Sequence, residues 1–98
     1  MSAWFAVVRT RGAAWDENLP LRAQALWDPH ADYMDRAEAD GFVRLAGPLE
    51  GTREVLIIVR AADAAQAESR LADDPWTASS HLRTVSIAPW NVLVGRLD

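Results

Sequence analysis

The residues of this chain with chemistry beyond packing are two histidines, two Asp-Pro steps, one arginine at the end of an apolar run, and five tryptophans. His30 follows the first Asp-Pro step. If Asp28 caps a helix and Pro29 takes its first position, Tyr33, Met34 and Ala37 follow His30 at spacings of three, four and seven and share its inward face. Burial and the positive end of a helix dipole both disfavour an imidazolium, and a neutral imidazole can accept a proton or donate a hydrogen bond. Two readings follow: a core histidine satisfied by a backbone carbonyl, or a general base.

Asp74 opens the second Asp-Pro step. Pro75 pushes it out of the helical region and suits the start of a turn, so Asp74 either caps Trp76-Thr77-Ala78 or hydrogen-bonds His30, fixing its tautomer and stabilising the charged ring during proton transfer. Asp73 is a competing acceptor, expected to end the preceding helix and face water. Arg9 stands where a strand meets a long loop. It either holds a carboxylate or enolate at a pocket mouth or is an exposed strand end. The tryptophans are core filler, subunit-interface anchors, or walls of a pocket for a flat apolar ligand, in that order; Trp27, Trp76 and Trp90 are the candidates for substrate contact alongside Arg9.

Several chemistries are excluded or unsupported. All ten basic residues are arginine, so no lysine can form a Schiff base, and the absence of cysteine removes disulfides, thiolate metal sites and a cysteine nucleophile. His81, expected at the surface, lies far from His30 without paired carboxylates, so no metal is expected. There is no Gly-x-Ser-x-Gly elbow and no glycine-rich phosphate loop. A net charge of -4 with scattered arginines argues against nucleic acid and anionic membranes. No apolar run approaches the ~18 residues of a membrane span, and the first residues lack the basic flank of a signal peptide, which points to the cytoplasm.

The elements that position these groups read as βαββαβ. Residues 4–9 form an apolar strand and 10–27 a polar loop; a helix over 28–40 is closed by Gly41, and residues 42–46 form a second strand stopped by Gly47-Pro48. Residues 55–59 give the strongest strand signal. Asp63 and Gln66 form a capping-box pattern for a helix through about Ala72, and a last strand over 84–88 is expected to continue past Pro89 to Val94. Pro89 places that strand at an edge. The order implies one ferredoxin-like α+β domain over 1–98, with an antiparallel four-stranded sheet whose first and third strands are central. With both helices on one face, the apolar residues of the other need cover, most simply a second subunit.

The histidine opening helix one, Gly41 closing it, Ala46-Gly47-Pro48-Leu49, Asp74-Pro75-Trp76 and Ile87-Ala88-Pro89-Trp90 together resemble the YCII-related family over about residues 28 to 95. The resemblance implies a homodimeric, or higher-order, α+β barrel and assigns a catalytic pair to His30 and Asp74. Relatives with this barrel include muconolactone isomerase-like enzymes and dehydrochlorinases acting on cyclic, often aromatic-derived substrates. Trp27 stands where an arginine often precedes the histidine, and Ser80 where a glycine often follows the Asp-Pro step. The expectation is a small isomerase or lyase without a cofactor, acting on a small-molecule substrate; the alternatives are a non-catalytic ligand-binding or regulatory module, and an interaction domain in which both residues are structural.

Overall fold

The apolar strand segments pair into a single sheet and the helices cover one side of it. The computed structural model describes residues 2–98. Strands β1 (Ala3–Arg11), β2 (Val43–Pro48), β3 (Glu54–Ala61) and β4 (Leu82–Pro89) are ordered β2-β3-β1-β4, and every neighbouring pair is antiparallel. Helix α1 (Trp27–Ala39) joins β1 to β2, while α2 (Ala64–Ala72) and the single turn α3 (Pro75–Ala78) join β3 to β4. The α+β architecture, the central β1 and β3 and the edge position of β4 agree with the sequence reading.

Period-two alternation decides which side chains enter the core. In β1, Phe5, Val7 and Arg9 are buried, and in β3 Ile57, Val59 and Ala61 are. Tyr33 and Ala37 of α1 and Ala67 and Leu71 of α2 pack on that same face, so both long helices share one side. The opposite face carries Ala6 and Val8 paired with Ile58 and Leu56, of which Ile58 is buried, beside Leu45 and Val85, which are about half exposed. A β-bulge between Val8 and Arg9 shifts the pairing with β4, so that Arg9 lies opposite Thr84.

The start of α1 differs from the sequence expectation. Its N-cap is Leu26, in the left-handed region at φ 64°, rather than Asp28. The chain approaches through a 3-10 turn at Leu21–Ala23, and Trp27 N–H donates to the Gln24 carbonyl, so the helix winds up two residues early. Pro29 is tolerated because first-turn amides have no helical partner; His30 donates the first such bond, to Leu26 O at 3.1 Å. His30 is therefore the fourth helical residue. The two residues gained bring Trp27 onto the helix and beside His30.

The other end of the chain also departs from expectation. β4 stops at Pro89 rather than reaching Val94, because the strand spends its last pairing opposite Phe5 and a proline has no amide to extend it. Trp90 donates its backbone amide to Trp4 O, and the side chain of Arg44 donates to Leu97 O, so the terminal residues leave the sheet.

The segment between β1 and α1 is polar in composition but firmly packed. Buried Gln24 accepts from Asp16 N–H and donates to the carbonyls of Asp16 and Leu19, holding the segment in one shape. Its root is fastened to the end of α3 by Gly12 N–H to His81 O and Ala14 N–H to Ser80 O. A Cβ on Gly12 would lie 2.2 Å from Ser80 O, so this close approach requires glycine. Ser80 itself sits at φ 66°, a backbone region that favours glycine. No helix among the described residues is long and apolar enough to cross a membrane.

Candidate active site

Asp74 is the hub of the site, and its position follows from the local sequence. Pro75 holds Asp74 extended (φ -66°, ψ 124°), so its carboxylate turns back over α3 and accepts from Trp76 N–H at 3.0 Å. The cap and the pairing with His30 are both present. Oδ1 also meets His30 Nδ1 at 2.8 Å, and Oδ2 accepts from Arg9 Nη1 at 2.9 Å, all without exposure of Asp74 to solvent. Burial pushes the carboxyl pKa up, but the bonds from His30, the Trp76 amide and Arg9 outweigh it and hold Asp74 below the usual carboxylate value. The group is an anion at neutral pH.

Arg9 is fully buried, which corrects the view of it as an exposed strand end. It has the same strand parity as Phe5 and Val7, and that parity was the available sequence signal. Nη2 donates to Thr77 Oγ1 at 2.5 Å, and the Thr77 hydroxyl donates to Leu71 O. Thr77 was missed: a hydroxyl in a four-residue turn carries no sequence signature for pairing with a strand 68 residues away. Nε of Arg9 is buried with no partner among the described residues.

His30 lies flat on Trp76, with ring centroids 3.9 Å apart and planes within 9°. Trp76 is buried, and its indole N–H donates to Ala25 O at 2.8 Å. It is the bed on which the imidazole rests, and it also forms part of the wall of the cavity beside His30. Trp15 packs edge-on to Trp76 at 5.3 Å, and Trp27 lies 5.8 Å from it. His81, expected at the surface, is instead buried and nearly parallel to the same indole at 5.4 Å, and its Nδ1 meets Ser79 Oγ at 2.7 Å. The reason is the short connection: α3 turns back directly into β4, so His81 lies under Trp76, to whose carbonyl its amide donates.

A cavity of about 190 Å³ opens beside this group, between α1 and the sheet. Its wall includes His30, Arg9, Trp15, Trp27 and Met34, and the end of β2 at residues 46–48 closes one side. Asp74 lies behind His30 rather than in the wall. Trp90, a sequence candidate for substrate contact, is well exposed at the end of β4 and does not line the cavity. The hydrogen bond at Nδ1 leaves His30 Nε2 without a partner among the described residues. An imidazole so held, with an anion behind it and an apolar space in front, can take a proton at Nε2 while Asp74 stabilises the resulting charge. Among the described residues no group of three or more His, Asp or Glu side chains could hold a metal ion.

Tyr33 stands one turn beyond His30. Its hydroxyl donates to Arg70 O, and burial, reinforced by the Asp74 charge, pushes its pKa up to about 12. It stays neutral and structural.

A family model described as the YCII-related domain matches residues 6–91. No curated protein sequence matches the chain. Among solved structures, 5-chloro-2-hydroxyhydroquinone dehydrochlorinase from Burkholderia phenoliruptrix AC1100, in complex with 2,5-dihydroxybenzoquinone, superposes with a TM-score of 0.58 at 16% identity over 89% of this chain and 93% of that one. That similarity is one of fold.

Proposed function

The chain belongs to the YCII-related family, and from that premise we propose that it is a cofactor-free lyase or isomerase in which His30 moves a proton on a small cyclic substrate. One observation carries the reading: His30 Nδ1 is tied to an ionised, buried Asp74 while its Nε2 is left free beside an apolar cavity. In an isomerisation, Nε2 takes a proton from a carbon next to a carbonyl and returns it elsewhere on the same ring system. In an elimination it takes the proton and the substrate releases its leaving group as an anion. Asp74 orients the ring and offsets its charge, Trp76 fixes its plane, and Arg9 and Trp27 bound the substrate.

The size of the cavity favours one ring. An engineered cavity on the order of 150 Å³ holds benzene, so about 190 Å³ admits a single substituted ring. The ring in the dehydrochlorinase complex is of this class. A two-fold pair with the outer sheet faces together is the proposed assembly: it would cover Leu45, Leu56 and Val85 and bury more than roughly 1,000 Å². Light scattering at micromolar concentration should give twice the chain mass, and a monomer would remove this assembly.

The catalytic reading is tested by His30→Gln, assayed on substituted hydroxyquinols and cyclic lactones that the wild type turns over. Glutamine can hydrogen-bond Asp74 but cannot act as a base, so the rate should drop about 10²-fold or more with the melting temperature nearly unchanged. Turnover by the variant at the wild-type rate would show that His30 is not the base.

A further inference from the structure

We infer that Arg9 Nε is a substrate-binding donor, and that the substrate presents a single ring oxygen to it, as an enolate, phenolate or carbonyl, rather than a carboxylate. The inference deepens the catalytic reading above and rests on it for the identity of the site. Both terminal nitrogens of Arg9 are already committed, Nη1 to Asp74 and Nη2 to Thr77, so a carboxylate would have to share a nitrogen with a partner inside the protein. Each terminal nitrogen thus already has a partner within the protein, and Nε is the nitrogen that has none among the described residues. Arg9 forms part of the cavity wall, it is completely buried, and Nε is the one nitrogen of its guanidinium from which no group among the described residues accepts. A buried donor left unmet is costly, and an acceptor from outside the chain relieves that cost when it enters the cavity.

A single unpartnered nitrogen beside an apolar aromatic wall favours a flat ring that brings one oxygen to it. That oxygen gains charge when His30 removes a proton from the ring, so a guanidinium nitrogen near it would hold the developing enolate or phenolate more strongly than the neutral ring. Arg11 also reaches the wall, but it is only half-buried and lies over Trp15, 4.5 Å from the ring centroid. It is the competing anion site, and it has an open fork.

Replacing Arg9 would strip Asp74 of a buried partner, so the variable to change is the ligand. The probes are 4-nitrophenol, 4-nitrotoluene and 4-nitrobenzoate, which share a ring and differ at one substituent; quenching of the cavity tryptophans in the whole wild-type protein reports their binding. The phenol should bind about tenfold or more tighter than the toluene, the range of a hydrogen bond to a charged group, and the benzoate no tighter than the toluene. The same order should persist in His30→Phe, which keeps a flat ring but has no nitrogen. Equal affinities for phenol and toluene, or no binding of any probe, would overturn the assignment. Tightest binding of the benzoate would move anion recognition to Arg11 and overturn it as well, and a preference lost in His30→Phe would place the contact at His30. Proton transfer is judged separately by turnover in His30→Gln, so a failed base leaves the probe order, and this inference, standing.

Discussion

The layer between the sheet and the helices has two ends built on different principles. One is filled by Phe5, Val7, Tyr33, Val59, Ala61 and Leu71, with a single polar group, the Tyr33 hydroxyl, that finds a backbone carbonyl. At the other, Trp15, Trp76 and Leu82 surround buried Arg9, His30, Asp74 and His81, and a cavity remains open. The first end derives its stability from apolar burial and fits almost any volume-conserving repacking. The second depends on mutual satisfaction: each buried charged group is tolerable only because the others are in place. Removing a methyl group should therefore cost the first end stability and nothing else, while removing a charge should cost the second both stability and function.

The largest effect is expected from Asp74→Asn. It leaves the Arg9 charge buried without its counter-ion, which costs about 3–5 kcal/mol, or a fall in melting temperature of more than about 12 °C for a domain of this size. Thermal unfolding measures it. The same variant sharpens the comparison in acid. Because the folded-state pKa of Asp74 is depressed, its contribution is fully present above the ordinary value of 3.8 and is lost as pH falls through the lower, folded value. The wild type should lose stability more steeply than Asp74→Asn below about pH 4.

Val59→Ala is the counterpart at the apolar end. Val59 is fully buried and lies outside the cavity wall, so losing two methyl groups should cost about 2 kcal/mol. Denaturant titration should show this loss with probe binding at the cavity unchanged. A change in ligand affinity as large as that of a cavity-wall substitution would mean the two ends are coupled.

How legible each end was in the sequence follows from the same difference. The apolar end is written in local patterns: the run at 55–59, the spacing of Tyr33 and Ala37, and Asp63, which caps α2 by accepting from Gln66 N–H. Those patterns yielded the element order and the central strands. The charged end is assembled from parts far apart in the chain, with 44 residues between His30 and Asp74 and 65 between Arg9 and Asp74. His30 and Asp74 were legible through their Asp-Pro steps and through a family resemblance. The burial of Arg9 was legible only as strand parity, and that of His81 not at all, because both depend on the tight link from α3 into β4. Trp90 misled for the opposite reason: an aromatic at a strand end looks like a pocket wall whichever way the chain then turns. The two-residue error at the start of α1 has a physical cause, since a 3-10 turn leads directly into the helix and makes a sidechain cap unnecessary.

The central claim is that Asp74 holds the His30 ring with its proton on Nδ1 and its lone pair on Nε2, toward the cavity. Nitrogen-15 NMR of the histidine side chains, with the His30 signals assigned by their loss in His30→Gln, reads this directly and needs no substrate. In the neutral ring the proton should be found on Nδ1, with Nε2 unprotonated, and this preference should weaken in Asp74→Asn. A neutral His30 carrying its proton on Nε2 in the wild type would contradict the account, because the nitrogen facing the cavity could then donate a hydrogen bond but not accept a proton.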